Sequence, residues 1–389
     1  MRETVRVCIP RHLQIGRGSV AHLHDILCTL GNVKSPLIVT DKTMVALGHV
    51  AKVQAVLLEH GIVCGVFDDT VPDPTDEVLL AALAMLEEGR YDCVIGVGGG
   101  SPIDTAKAIA VMSKHGKNIL DYRPPKECNE PGLPMIAVPT TAGTGSEVTH
   151  HTVIVHTATR EKISCRGEAF VPTAAIIDYD FTLSKPKRLT ADNALDTLTH
   201  GIEAYVSQKR SFFSDRMALD CMRLVGQFVE RAYENGQDTE AREGLMLAAT
   251  LGGLAFSNAS ICLVHAMSRP LGSLFHVPHG LGNAMLLPLI TEFSLDAALP
   301  RYADCARAMG FASAEDDEKG AAQKLVDGLY AFNKSMDVPS METFGIDYAA
   351  YESMVDQMAT DALRSGAPGL NPKIPTKDEI IELYKKAWT

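Results

Sequence analysis

Residues 93–110 read CysValIleGlyValGlyGlyGlySerProIleAspThrAlaLysAlaIleAla: an apolar, β-branched run passes straight into three glycines and then into a helical pattern. A strand followed at once by a helix, with apolar residues on both faces, belongs to a parallel sheet covered on both sides. Pro102 stands near the first turn of that helix, where its missing N–H costs nothing. Gly98, Gly99 and Gly100 let the backbone approach a pyrophosphate, and the helix start at Ser101 offers free N–H groups and positive potential. The run is not the GxGxxG dinucleotide fingerprint. Taken alone, it is also compatible with a purely structural strand-to-helix turn.

The same alternation extends through the first half of the chain. Strand candidates are Leu37–Thr40, Ile62–Phe67, Cys93–Val97, Met135–Val138 and Ala174–Asp178, with helical patterns over 43–60, 75–89 and 102–114 between several of them. Thr75 is placed to cap the second of these helices, with Asp76 and Glu77 in its first turn. From about residue 188 strand signals nearly vanish, and helices are expected near 191–207, 214–234, 239–256, 259–274, 318–335 and 376–387. The expected organisation is an α/β domain with a parallel sheet over residues 1–187 and an all-helical, metal-binding domain over 188–389. Two domains also suit 389 residues, which exceed one ordinary core.

The bulk numbers exclude several function classes. A net charge of −12 argues against nucleic-acid or anionic-membrane binding, both of which need a basic face. Nine scattered cysteines without a CxxC spacing suggest reduced thiols and a cytoplasmic protein. The N-terminus has no apolar signal core. Residues 244–264 carry no charge over about one membrane-spanning length. Glycines and polar residues interrupt them, so a buried helix broken near Asn258 and followed by a second helix is expected.

Two pairs of potential metal ligands lie in the second half. Asp196 and His200 are spaced i, i+4, on one helix face, and His265 and His279 follow in HisAlaMetSerArgProLeuGlySerLeuPheHisValProHisGly. Taken alone, the first pair reads more often as a solvated face or a cap. One carboxylate and three imidazoles together suit Fe²⁺ or Zn²⁺, and an open position on such an ion can polarise a substrate oxygen. Two further features fit a nucleotide site in the first half. ValProThrThrAlaGlyThrGlySerGluValThr, residues 138–149, is a hydroxyl-rich loop after a strand, at the sheet edge where open α/β folds bind ligands. Asp41 follows the strand LeuIleValThr and can accept hydrogen bonds from an adenosine ribose, favouring NAD(H) over NADP(H); it is equally placed to cap a helix.

On these segments, with the terminal AsnProLysIleProThrLysAspGluIleIleGluLeuTyrLysLysAlaTrp (371–388), the chain resembles the iron-containing (group III) alcohol dehydrogenases, which include lactaldehyde reductase and propanediol dehydrogenase. The resemblance implies a dehydroquinate-synthase-like fold with NAD(H) between the domains, and Fe²⁺ or Zn²⁺ on Asp196, His200, His265 and His279. It maps cofactor contacts onto Asp41, Gly98, Gly99, Gly100, Ser101, Asp104, Thr140, Thr141, Thr144, Ser146, Thr149 and Lys162. At one position the chain departs from the pattern: many members carry a histidine where this chain has Arg269. His276 is read as lining the site rather than ligating.

The expected chemistry is hydride transfer between NAD(H) and a small alcohol or aldehyde, assisted by the metal. Arg269, with His150 and His151 as further cationic or donor groups, suggests an anionic substrate such as a carboxylate or sulfonate of the sulfoacetaldehyde type. An ion pair between Arg269 and an acidic side chain is the competing expectation. Two other activities remain open on the same motifs: a hydroxyacid–oxoacid transhydrogenase that turns over without added NAD, and a dehydroquinate-synthase-like lyase with no net change in NADH. A homo-oligomer, dimer or higher, is expected.

Overall fold

A computed structural model describes residues 4–31, 33–159 and 161–388. The chain divides into two compact units: Cys8–Ser184, and Lys185–Thr389 joined by the N-terminal stretch up to Val7.

The first unit is α/β. Its strands are β1 (His12–Ile15), β2 (Pro36–Val39), β3 (Gly65–Phe67), β4 (Cys93–Gly98), β5 (Met135–Pro139), β6 (His151–His156), β7 (Glu161–Arg166) and β8 (Ala174–Ile177). Six of them form one sheet in the order β1-β8-β5-β4-β2-β3, every neighbour parallel. The helices are α1 (Leu23–Thr29), α2 (Lys42–Ala46), α3 (His49–Glu59), α4 (Asp76–Glu88) and α5 (Gly100–His115). Residues two apart on the strands share a face. Ile38, Ile95, Val97, Ile136, Val138 and Ile176 therefore meet Leu23, Val53 and Leu57 of α1 and α3 in one core cluster. The opposite face takes α5: a Cβ on Gly96 would lie 2.9 Å from the Ala106 side chain and 3.3 Å from Ile103 Cα. Only glycine lets α5 sit this close to β4.

The helix expected over 43–60 is two helices, because Gly48 adopts the left-handed conformation (φ 75°) and starts a new one. Thr75 caps α4 as expected, accepting a hydrogen bond from Val78 N–H. The strand expected at Ile62–Phe67 is only Gly65–Phe67. Three features lie outside the sequence expectations: the edge strand β1, helix α1, and the β6–β7 antiparallel hairpin, whose alternating burial marks one packed face.

The second unit contains only helices among its described residues. They are α6 (Lys187–Val206), α7 (Phe212–Glu234), α8 (Thr239–Ser257), α9 (Leu263–Phe275), α10 (His279–Ser294), α11 (Leu299–Ala308), α12 (Glu318–Ser335), α13 (Met341–Phe344), α14 (Tyr348–Arg364) and α15 (Lys377–Lys386). The uncharged stretch 244–264 resolves into the end of α8, a cap at Asn258 and the start of α9. Among the described residues no helix is long and apolar enough to cross a membrane.

Candidate metal centre and glycine turn

Helix α6 is almost wholly buried, so its polar side chains must find partners inside the unit. Three of them, Asp196, His200 and Glu203, stand at i, i+4 and i+7 on one face. Helices α9 and α10 pack on this face and contribute His265 and His279. One donor atom from each of Asp196, His200, His265 and His279 lies within 4.8 Å of all the others. Asp196 Oδ1 is 3.8 Å from His200 Nε2 and 3.6 Å from both His265 Nε2 and His279 Nε2. Such separations suit donors that share one ion through bonds of about 2 Å.

The surroundings prepare these atoms for a cation. Glu203 is buried, and its Oε2 accepts a hydrogen bond from His265 Nδ1 at 2.6 Å. Its Oε1 accepts from Val264 N–H, also at 2.6 Å, in the first turn of α9. With its Nδ1 proton committed, the His265 ring turns its Nε2 toward Asp196, and this buried atom makes no hydrogen bond. Asn283, one turn after His279 on α10, donates through Nδ2 to Asp196 Oδ1 at 2.7 Å. The His200 ring is stacked between Phe256 and His265, with centroids 4.3 and 4.7 Å away. Burial opposes ionisation of Asp196, but the neighbouring histidines outweigh it and hold the carboxyl well below its usual range. Burial likewise opposes the charged form of His265, yet Glu203 and Asp196 prevail and raise it to about 9. Both shifts arise from attraction between the carboxylates and the imidazoles packed together here. His279 is half-exposed, which leaves one side of the group open.

Glu203 and Asn283 were missed by sequence reasoning. Both repeat the helical spacing of a proposed ligand and could have been found from it.

Arg269 lies one turn after His265 on α9. Its guanidinium makes no hydrogen bond or close ion pair with any described residue; the acidic side chain acting on it, at longer range, is Glu203. Burial lowers its pKa, with Glu203 opposing the shift. His276 closes α9 in the left-handed conformation (φ 55°) and is exposed.

In the α/β unit, β4 enters Gly98 at φ 153°, where a Cβ would lie 2.5 Å from the Pro102 ring. Gly99 is the N-cap of α5, and Thr140 N–H donates to Gly98 O, joining the turn to the hydroxyl-rich loop. Added Cβ atoms on Gly99 and Gly100 would stand 3.3 Å from Thr141 and 3.1 Å from Thr144. Gly98–Ser101 and Thr140–Thr144 thus form one small-residue cradle beside a helix start, which fits a pyrophosphate. Asp41 caps α2 by accepting from Met44 N–H through Oδ1. Thr140 Oγ1 points at Met44 Sδ.

The structure gives Asp104, Ser146 and Thr149 internal partners. All three surround Lys107, a fully buried lysine that the sequence did not single out. Its Nζ donates to Ser146 Oγ (3.1 Å), Thr149 Oγ1 (2.9 Å), Thr149 O (3.0 Å) and His151 O (2.8 Å). Ser146 Oγ donates in turn to Asp104, which also accepts from Val153 N–H. Burial lowers the lysine to about 8, against the attraction of Asp104 and Glu147. Lys162, on β7, pairs with Asp73 at 2.9 Å. His150 is not a cation near neutral pH: burial, followed by Lys107, pushes its pKa down to about 4. Of the two roles expected of it, cation or donor, this disfavours the cation.

Family models agree with this arrangement. Residues 10–179 match the iron-containing alcohol dehydrogenase model, and residues 190–388 match the C-terminal model of that family. The NAD-dependent methanol dehydrogenase of Bacillus methanolicus is 32% identical over 97% of this chain and 98% of its own length. A crystal structure of 1,3-propanediol oxidoreductase superposes with a TM-score of 0.95 at 32% identity, covering 99% of this chain and all of that one. Sulfoacetaldehyde reductase from Bifidobacterium kashiwanohense, solved in complex with NAD⁺, gives a TM-score of 0.89 at 26% identity, covering 99% of each chain. With an Asp/His donor set on three helices and a glycine turn at the head of α5, the chain belongs to the iron-containing alcohol dehydrogenase family, NAD-linked oxidoreductases of alcohols and aldehydes.

Proposed function

We propose that this protein interconverts a small aldehyde and its alcohol where the substrate carries an anionic group, a carboxylate or a sulfonate, held by Arg269. The observation that carries this reading is the unpaired guanidinium one turn from His265. The Arg269 side chain is only partly buried, and a planar anion would meet its guanidinium with two parallel hydrogen bonds. The similarity to a sulfoacetaldehyde reductase supports the same substrate class.

In this reading Asp196, His200, His265 and His279 hold the divalent ion, Fe²⁺ or Zn²⁺. Glu203 orients His265, and Asn283 fixes Asp196. Gly98–Ser101, Asp104, Thr140, Thr141, Thr144, Ser146, Thr149 and Lys162 build or support the dinucleotide site, and Asp41 selects NAD(H) by its place at the end of β2. When bound, the ion polarises the substrate oxygen and the nicotinamide carries the hydride. Nine free cysteines support a reducing, cytoplasmic setting.

The test is steady-state kinetics of Arg269→Ala with NADH and matched aldehydes. The loss of kcat/KM is expected to be about 100-fold on a carboxylate- or sulfonate-bearing aldehyde and under about fivefold on a neutral one. Equal losses on both would overturn the proposal. Turnover without added NAD(H) would favour a transhydrogenase instead, and turnover without net change in NADH would favour a lyase.

A further inference from the structure

The terminal segment from Leu370 to Trp388 has no place in the site described above, yet it touches α9, α10 and the turn that follows α6. Just past the end of α6, Gln208 N–H donates to Leu370 O and Gln208 Nε2 donates to Asn371 O, both at 3.0 Å. Just before α9, Cys262 Sγ lies 3.4 Å from Leu370 O. At the end of α10, Ser294 Oγ accepts from Asn371 Nδ2 at 2.9 Å.

The tightest of these grips falls on α9, where the helix is weakest. Pro270 lies inside it, has no N–H for Ala266 O, and crowds that carbonyl. The turn carrying His265 and Arg269 therefore loses part of its own hydrogen bonding. Within that turn Met267 O accepts a hydrogen bond of 2.7 Å from the buried Tyr384 hydroxyl on α15. Tyr384 O accepts in turn from the Tyr351 hydroxyl on α14 at 2.9 Å, and the Tyr351 ring lies 5.8 Å from Phe275 at the far end of α9. Two phenols thus hold α9 on both sides of its proline.

We propose that Tyr384 is a positioning residue for the metal centre, fixing through Met267 O the turn of α9 that presents His265 and Arg269. The inference rests on the assignment of Asp196, His200, His265 and His279 as ligands. It supplies a use for the terminal segment: a clasp across the ends of α6, α9 and α10.

The chain's single tryptophan, Trp388, lies 5.0 Å from Tyr351 and so reports on the clasp. The experiment titrates Zn²⁺ into chelator-stripped full-length protein, following heat and Trp388 emission. Wild type is compared with Tyr384→Phe, Tyr351→Phe, Asp196→Asn and Tyr233→Phe. The last removes a phenol bond to Asp337 in the same unit, away from the segment. Tyr384→Phe is expected to raise the Zn²⁺ dissociation constant about tenfold, as loss of an outer support does. It should also shrink the emission change. Tyr351→Phe, should Tyr384→Phe fail to fold, is expected to raise the constant about threefold on the same reasoning. Tyr233→Phe should leave it within about twofold, as a remote loss would. Equal shifts in Tyr384→Phe and Tyr233→Phe, or no shift in either, would overturn the clasp alone, provided wild type binds Zn²⁺ far more tightly than Asp196→Asn. Wild type and Asp196→Asn binding alike would overturn the ligand assignment and the clasp with it.

Discussion

In the helical unit Asp196 Oδ1 has three imidazole nitrogens within 3.6–3.8 Å, with Glu203 behind His265. In the α/β unit the charged side chains nearest the glycine turn are already balanced, since Lys107 lies among Asp104, Ser146 and Thr149. In the proposed reading one site presents side chains to its ligand, whereas in the other the side chains hold backbone and the N–H groups at the start of α5 would meet the ligand. The two should therefore fail differently when a single charge is removed.

The largest effect is expected at Asp196, whose Oδ1 is the shared neighbour of three imidazoles. Asp196→Asn keeps the shape and removes the anion. Metal content measured after dialysis should drop from about one ion per chain to near zero, with activity down at least about 1,000-fold, while NADH binding by fluorescence stays within about twofold. Chelation of the wild type should give the same phenotype. If Asp196→Asn retained its metal, the contrast between the two sites would break at its first term.

Lys107 sharpens the other half. Lys107→Met leaves Asp104 and Glu147 without the buried cation that offsets them, and removal of one partner from such a group costs about 3–5 kcal/mol. The α/β unit should melt at lower temperature and NADH should bind more weakly, with metal content unchanged. A variant that melts like wild type but binds NADH poorly would make Lys107 a direct ligand of the cofactor instead of a strut.

The same contrast explains what could be read from the sequence. Helical spacing exposes side chains that work together, so Asp196 and His200 were visible, and Glu203 and Asn283 continue the same spacing. Strands buried on both faces, such as β2 and β4, stand out as unbroken apolar runs. Lys107 gave no such signal. Within AlaThr-type helical sequence a lysine looks like a solvent-facing residue, and only the fold of the 144–151 loop over α5 shows that it is buried. The β6–β7 hairpin was hidden for a similar reason: its outward residues, among them Lys162, Ser164 and Arg166, dilute the apolar signal of Ile154, Ile163 and Cys165. Helix α10 escaped notice because Pro288 interrupts its pattern, although tertiary packing tolerates it.

The smallest expected effect is a pH dependence confined to the α/β unit. His150 is largely buried beside Lys107, so protonation adds a second desolvated cation next to one already present. Its pKa in the folded chain is about 4, against 6.5 for an ordinary histidine. The unfolded chain therefore binds this proton at higher pH than the folded chain does. Stability from the neutral ring is fully present above pH 6.5 and is lost as pH falls toward 4, a difference approaching about 3 kcal/mol at the low end. Thermal melts of wild type and His150→Gln between pH 7 and pH 4 isolate this contribution from that of every other titrating group. Wild type should lose more stability than the variant across this window, with the gap opening below pH 6.5. Parallel curves would mean that His150 reaches water when charged, and that the buried cation of the loop is Lys107 alone.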